Sequence, residues 1–137
     1  MSEIDFSSLC RLAEGARDRA YAPYSRHPVG AVVVTPEGRA FSGCNVENAA
    51  YPLGQCAEAS AIAAMAVAGE RRIRHVIIAG PGETPCMPCG GCRQKIWEFA
   101  DADTCIHICV GGKIVQQQRL VNLLPAAFGS HNLRAEE

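Results

Sequence analysis

Residues 56–92 read CAEASAIAAMAVAGERRIRHVIIAGPGETPCMPCGGC, and this stretch decides the fold. Residues 56–68 are rich in alanine, isoleucine and methionine, which predicts a helix buried on most of its surface and ended by Gly69. Residues 75–79 form a continuous apolar run, typical of a strand that is covered on both faces. Residues 89–99 predict a second helix. This succession of helix, buried strand and helix indicates an α/β protein.

The flanking sequence supplies the remaining layers. Residues 6–21 space their apolar members at three and four, which predicts an amphipathic helix. Turn residues Pro36-Glu37-Gly38 separate a short β-branched run at 29–35 from a returning segment at 39–45, and predict a hairpin. Two more strands are expected at 104–110 and 113–117. The predicted fold is therefore a three-layer α/β/α sandwich around a mixed five-stranded sheet, formed by one domain over residues 1–137.

Composition narrows the class of protein. A chain of 137 residues buries about two-thirds of its unfolded surface, which is enough for one core. Its net charge of −1 offers no basic face, so we expect no nucleic-acid partner. The sequence contains no run of about 20 apolar residues, so we expect no membrane partner. The opening residues have neither the basic region nor the apolar run of a secretory signal, so we expect a cytoplasmic protein whose eight cysteines are mainly thiols.

Three of those cysteines form a candidate zinc site. Cys56 is followed two residues later by Glu58, and Pro88 precedes the pair Cys89 and Cys92. Catalytic zinc sites keep three protein ligands and leave one position open, whereas structural sites use four, so the count points to chemistry. The helix starts predicted here would stabilise thiolates. A structural zinc site and a fortuitous cysteine cluster are the alternatives, but neither gives the carboxylate a role.

The other cysteines are harder to assign. Cys10, Cys105 and Cys109 lie in apolar sequence and are interpreted as small buried hydrophobes. Cys86 lies three residues before Cys89 and could compete for metal, but the prolines around it predict an irregular loop, and we interpret it as a spectator. Arg93 is the best side-chain candidate for donating hydrogen bonds to a ligand sulfur, with a solvated helix residue as the alternative.

The chain resembles the short, homotetrameric cytidine deaminases over nearly all of its length. The zinc pattern is the three-cysteine form of the deaminase signature, in which a cysteine, one residue and a glutamate precede Pro-Cys-x-x-Cys. Further motifs occur in the family's order, which makes the resemblance more specific than the zinc signature. They are YAPYS at 21–25, VGA at 29–31, GCNVENAAY at 43–51, PCGGCRQ at 88–94, EF at 98–99, LLP at 123–125 and FG at 128–129.

The resemblance implies an activity and a set of roles. The reaction is hydrolytic removal of the 4-amino group of cytidine or deoxycytidine, a step of pyrimidine salvage, with Zn²⁺ as cofactor and Glu58 moving the protons without binding the metal. By the same resemblance, Asn45 and Glu47 contact the ribose, and the Ala57 backbone contacts the base. Tyr51 and Phe128 line the active site of a neighbouring subunit. Outside their motif, Asn45 and Glu47 would be ordinary loop residues.

Four departures from the family pattern affect the expected substrate. His27 stands where the family usually has a phenylalanine that stacks on the pyrimidine, and Ala59 stands where it typically has an arginine that bonds the thiolates. The pair Gly54-Gln55 before Cys56 and the Cys86-Met87 insert before Pro88 are also unusual. We expect His27 to lie in the pocket, although an isolated loop histidine is usually a surface residue. A deaminase of another aminated nucleoside, such as a blasticidin-like antibiotic, and a non-catalytic zinc module are the rival interpretations.

Overall fold

The structure, a computed structural model, describes residues 4–133. The helices are α1 (Phe6–Arg17), α2 (Ala57–Val67), α3 (Gly90–Trp97) and the four-residue α4 (Leu120–Leu123), and the strands are β1 (Gly30–Val34), β2 (Ala40–Cys44), β3 (Ile73–Ala79), β4 (Ala100–Val110) and β5 (Lys113–Arg119). No helix within residues 4–133 has the length and apolar character needed to cross a membrane. The single domain expected over 1–137 includes three residues at the start and four at the end that lie outside this description.

The five strands form one mixed sheet in the order β2-β1-β3-β4-β5. Strands β3 and β4 are parallel, and every other neighbouring pair is antiparallel. The predicted hairpin is present, with Gly30 opposite Cys44 and Val34 opposite Ala40. The parallel pair needs a crossover, which α3 supplies between β3 and β4. The mixed five-stranded sheet is therefore confirmed.

Both faces of the sheet are covered by helices. On one face, Cys10 and Ala13 of α1 pack with Val32 and Ile77. The opposite face carries a larger core around α2, α3 and α4, whose fully buried members include Ala31, Val33, Ala61, Met65, Val76, Ile78, Ile96, Ile106, Ile108 and Leu120. Burial on both sides explains the unbroken apolar run predicted for β3. The three-layer α/β/α arrangement is confirmed.

The element boundaries differ from the predictions where tertiary pairing competes with local pattern. Helix α1 ends at Arg17 rather than near residue 21, because Tyr21 leaves the helix and pairs with the segment after β2, its N–H donating to the Asn45 carbonyl at 3.0 Å. Strand β4 begins at Ala100, four residues before the predicted start. Sequence periodicity carries no information about such pairings.

A close approach between α2 and β2 fixes the position of the second helix. A Cβ atom built on Gly43 would lie 2.3 Å from the Ala61 nitrogen and 2.8 Å from the Ala57 carbonyl oxygen. The helix backbone thus rests on the strand at the one residue that has no side chain. Because Glu58 lies on the first turn of α2, this contact also sets where its carboxylate can reach.

Candidate metal centre and nucleoside pocket

The three predicted cysteine ligands come together at the starts of two helices. Cys56 is the N-cap of α2 and Cys89 is the N-cap of α3, both with extended backbone. Cys92 is the third residue of α3, and in a helix the N-cap and third positions face the same way. The structure brings the three sulfurs into one cluster, within 4.8 Å of one another.

The donor set fits a zinc ion. The Sγ atoms of Cys56 and Cys89 lie 4.0 Å apart. Two thiolates on a tetrahedral zinc ion lie about 3.8 Å apart, given Zn–S bonds of about 2.3 Å. Cys86 is not a member of this three-residue cluster in the described part of the chain, so three ligands rather than four are assembled. The cluster is placed to hold a metal ion, and its three sulfurs would leave a fourth coordination position for a small molecule.

Burial makes the thiols dependent on a bound cation. Burial raises the pKa of both the Cys56 and the Cys92 thiols, and the negative charge of the neighbouring groups adds to the increase for Cys92. Burial also acts to raise the pKa of the Cys89 thiol, but hydrogen bonds from Cys92 and Cys56 outweigh this effect, so the pKa of Cys89 is lowered. A coordinating cation deprotonates such thiols outright. The cluster is therefore matched to a divalent metal rather than to three free thiols.

Glu58 lies beside the sulfurs on the second residue of α2 and is only 4% exposed. Residues two apart in a regular helix point in nearly opposite directions. Both Cys56 and Glu58 reach the site because Cys56 is outside the helix, at the N-cap, with ψ at 157°. Burial raises the pKa of the Glu58 carboxyl, which suits a group that must both take and give protons near neutral pH.

Glu47 holds the loop that approaches the metal centre. One carboxylate oxygen, Oε1, accepts hydrogen bonds from the backbone N–H groups of Tyr24 (2.9 Å) and Ser25 (3.1 Å). The other, Oε2, accepts a hydrogen bond from the Ser25 hydroxyl. These hydrogen bonds from the side chain and backbone of Ser25 lower the pKa of Glu47. Ser25 was not singled out from the sequence, although its motif, Pro-Tyr-Ser, could have indicated it.

Asn45 holds the same loop from its other side. Its Oδ1 accepts from the Val29 N–H at 2.8 Å, and its Nδ2 donates to the His27 carbonyl at 3.0 Å. The His27 N–H donates in turn to Ser25 Oγ at 3.0 Å. Asn45, expected to contact ribose, therefore also fixes the backbone of His27, and Glu47 fixes the backbone of Ser25.

A cavity of about 410 Å³ joins these groups to the metal centre. Its lining includes four of the six predicted substrate contacts, but not Tyr51 or Phe128. The lining residues are Ser25, His27, Val29, Asn45, Glu47, Cys56, Ala57, Glu58, Cys86, Met87 and Cys89. We call it the metal-side cavity. Its volume is in the range of small-molecule sites.

Cys86 lines this cavity and contacts His27. The Cys86 Sγ lies 3.7 Å from His27 Nε2. Burial raises the pKa of the Cys86 thiol, and the charges of Glu58 and the cysteine ligands raise it further. Cys86 was interpreted as a spectator; it is outside the metal cluster but inside the pocket. Its spacing from Cys89 was the available signal, although the direction of the loop could not be predicted.

A second cavity, of about 330 Å³, adjoins the first and shares Ser25 and Glu47 with it. Tyr51 lines it and makes an edge contact with Tyr24, with ring centroids 5.9 Å apart. Tyr51 is 76% exposed and Phe128 is 55% exposed, so neither aromatic ring is buried within one chain. The structure does not bring Phe128 into the two cavities described here.

Arg93 donates both of its hydrogen bonds to backbone carbonyl groups. Its Nε bonds Pro88 O at 2.9 Å, and its Nη1 bonds Leu123 O at 3.0 Å. These bonds tie the segment before Cys89 to α4. Donation from Arg93 to a ligand sulfur stays a prediction. The other departure, Ala59, is partly buried on α2 and supplies no charge to the site.

The remaining cysteines divide into two groups. Cys10 and Cys109 are fully or almost fully buried in the core beneath α1, as expected for small hydrophobes. Cys105 is only half-buried, and its thiol lies 3.5 Å from the Asp103 carbonyl. Cys105 therefore does not reach the burial expected from the sequence.

Comparison with known proteins assigns the chain to a family. The family model described as the cytidine and deoxycytidylate deaminase zinc-binding region matches residues 5–108. A cytidine deaminase of Mycobacterium tuberculosis is 38% identical over 137 residues, covering 99% of this chain and 98% of its own length. That of Sporosarcina psychrophila is 34% identical over 130 residues, covering 95% and 96%.

A solved structure gives the same result at the level of the fold. The crystal structure of cytidine deaminase from Burkholderia pseudomallei superimposes with a TM-score of 0.82 at 37% identity, covering 93% of this chain and all of that one. The chain belongs to the cytidine and deoxycytidylate deaminase family. It is a zinc-dependent enzyme, and these comparisons give no support to a non-catalytic module or to a different nucleoside class.

Proposed function

We propose that this enzyme hydrolyses cytidine and deoxycytidine to the corresponding uracil nucleosides and ammonia. Water supplies the oxygen that becomes the 4-oxo group and two protons, one of which stays on N3 of the uracil ring while the other leaves with the 4-amino group as ammonia. The observation that carries the proposal is a buried carboxylate, Glu58, beside three clustered cysteines in a cavity of small-molecule size. The names of the relatives agree with this substrate.

Cys56, Cys89 and Cys92 hold the zinc ion in this proposal. Bound there, the ion supplies Lewis-acid chemistry and makes a water molecule acidic enough to lose a proton near neutral pH. Glu58 accepts that proton, delivers it to N3 of the pyrimidine, and later carries a proton to the departing amine. Its burial beside the cavity keeps the carboxyl close to the reacting atoms and away from bulk water.

The other lining residues orient the nucleoside. Asn45 and Glu47 present amide and carboxylate groups to the ribose hydroxyls, and the Ala57 backbone contacts the base. His27 forms the wall next to the pyrimidine ring. Support comes from their common position around the metal-side cavity, where Asn45 and Glu47 also bond the backbone of the loop that carries His27. A sugar contact gives the enzyme a reason to prefer nucleosides to free bases.

The proposal extends to assembly and cellular setting. The enzyme acts as one domain in a homotetramer, in which Tyr51 and Phe128 line the active site of a neighbouring subunit. Their exposed rings support this, since aromatic side chains open to solvent in one chain are typical of interface residues. It works in the cytoplasm, in pyrimidine salvage, without a nucleic-acid or membrane partner. The net charge of −1 agrees with a small-molecule substrate.

One substitution tests the function. Glu58→Gln keeps the shape of the side chain but cannot move protons, so cytidine turnover should fall by at least about a hundredfold while zinc content is unchanged. Glu37→Gln, on an exposed turn residue, is the matched control and should keep full activity. The readouts are loss of cytidine absorbance and ammonia release. A Glu58→Gln enzyme of normal rate, or a wild-type enzyme inactive on cytidine but active on another aminated nucleoside, would contradict the proposal.

A further inference from the structure

We infer that Cys86 is a positioning residue for His27, and that the two side chains act as one unit that sets the affinity for the pyrimidine ring. This inference rests on the proposed function, because it assigns the ring of a cytosine nucleoside to the space beside His27. Three features of the molecule support the inference. They are the packing of Cys86 against Gly80, the anchoring of the His27 backbone, and the direction of the hydrogen bond between the two side chains.

The Cys86 side chain packs closely against Gly80. A Cβ atom on Gly80 would lie 2.4 Å from the Cys86 Cβ and 3.1 Å from its Sγ. Gly80 directly follows β3, and its carbonyl accepts a hydrogen bond from Arg17 Nη1 at 3.2 Å, so this surface is tied to the sheet and to α1. The thiol therefore packs against rigid backbone and has its free side toward the cavity.

The His27 backbone is anchored on both sides. Its N–H is bonded to Ser25 Oγ, and its carbonyl to Asn45 Nδ2, each at 3.0 Å. The preceding residue, Arg26, has φ at 56°, in the left-handed region that residues other than glycine rarely adopt. Such a conformation persists only where the surroundings impose it. With its backbone fixed, His27 has only its side-chain rotation left, and the 3.7 Å contact with Cys86 restrains that rotation.

Chemistry assigns the direction of the contact. A thiol is a weak donor and a weak acceptor, whereas the unprotonated nitrogen of a neutral imidazole is an acceptor without a proton to donate. The Met87 carbonyl oxygen also lies 3.9 Å from the thiol, but the imidazole nitrogen is nearer, at 3.7 Å, so the favoured arrangement is Cys86 S–H donating to His27 Nε2, which leaves the ring proton on Nδ1. Cys86 thus fixes both the tautomer and the plane of the ring that faces the cavity.

The consequence for binding follows from the size of the ring. An imidazole offers less stacking surface than a phenyl ring, so an unrestrained His27 would contact a pyrimidine poorly. A ring held in one plane avoids the loss of side-chain entropy when substrate binds. We expect the effect in KM, because the pair contacts the ring but no reacting atom.

A double-mutant cycle measures this coupling. Cys86→Ala should raise KM for cytidine about threefold to tenfold in the zinc-loaded enzyme, and leave kcat within about twofold. In the His27→Phe background, the same substitution should change KM by less than about twofold, because the acceptor is absent. Cys86→Ser keeps a donor and should recover most of the loss. Cys105→Ala, at another half-buried cysteine, should match wild type.

A spectroscopic measurement tests the contact without substrate. Nitrogen-15 spectra should show His27 with its proton on Nδ1, and Cys86→Ala should shift its signals toward a mixture of tautomers, while the other three histidines stay unchanged. Unshifted His27 signals, additive effects in the cycle, or loss of zinc in Cys86→Ala would each overturn the inference. Inactivity of the wild type on cytidine would overturn the proposed function instead, and the spectra would still report on the pair.

Discussion

The Sγ atoms of Cys56 and Cys89 lie 4.0 Å apart, although 33 residues separate them, and each residue is the N-cap of its own helix. Two helix starts thus meet at one point. Their unpaired N–H groups and positive macrodipole ends stabilise negative charge there. This offsets part of the charge that three thiolates place around one divalent ion.

The zinc content depends on the three cysteines at these two helix starts. Cys89→Ala removes one of three ligands, so we expect the purified protein to lose its zinc and its turnover together. Metal analysis and the cytidine assay provide the two measurements. Cys105→Ala is the control, since its thiol contacts the Asp103 carbonyl and not the cluster. A Cys89→Ala protein with a full complement of zinc and a normal rate would remove Cys89 from the ligand set.

The close packing of α2 on β2 predicts that one methyl group added at Gly43 lowers the stability of the protein. Gly43→Ala would place its Cβ 2.3 Å from the Ala61 nitrogen, which forces the helix that carries Glu58 away from the strand. We expect the free energy of unfolding to fall by about 2 kcal/mol and activity to fall with it. Urea denaturation of the zinc-loaded protein measures the first effect.

A second glycine serves as the control for this experiment. Gly15 lies on α1 with no atom within 4 Å of its built Cβ. Gly15→Ala should therefore raise the free energy of unfolding by about 0.5–1 kcal/mol. If both substitutions changed stability equally, the close approach at Gly43 would not be the cause.

A pair of neighbouring histidines, of which His107 is buried and His75 is half-buried, predicts acid sensitivity. His75 Nδ1 lies 2.9 Å from His107 Nε2, and His107 Nδ1 lies 3.0 Å from Gln117 Nε2. Burial lowers the pKa of His107 to about 4, with the charge of His75 adding to the effect. Burial, and then the charge of Arg74, lowers the pKa of His75.

Since the unfolded chain binds these protons more readily, stability should be complete above an ordinary histidine pKa of about 6.5. It should fall as the pH drops from there toward about 4, by up to about 3 kcal/mol for His107. His107→Gln should flatten this part of the profile, whereas exposed His131→Gln should not. Denaturation curves with zinc content recorded at each pH provide the test, and equal slopes for wild type and His107→Gln would contradict it.

The exposed ring of Phe128 predicts a shared active site. Gln94 Nε2, two residues beyond Cys92, donates to the Phe128 carbonyl at 2.8 Å, which fixes the backbone while the ring stays 55% exposed. Phe128→Ala should keep its zinc but lose at least about tenfold in activity, with weaker association in sedimentation experiments. Val115→Ala, where the side chain is 53% exposed on β5, is the matched control. A fully active monomer would defeat the prediction.

Local sequence pattern was enough to predict the helices and strands and the three cysteines of the metal cluster. The alanine-rich run after Cys56 and the apolar run of β3 are each a signal of local period and composition, and the observed elements match them closely. The three cysteines were identifiable because ligand spacing at helix starts is itself a local property. What the pattern missed were events between elements, such as the pairing of Tyr21 with Asn45, which ends α1 early.

The sequence by itself determined the fold class, the three sulfur ligands and the carboxylate beside them. Hydrophobic periodicity and the short motifs of the ligands each depend on residues that are close together in the chain. Only the tertiary structure decided that Cys86 faces His27 and that Ser25 links His27 to Glu47. Those contacts join residues that are distant in sequence or lie in loops without a period. Their geometry depends on where the sheet and the starts of its helices place each loop.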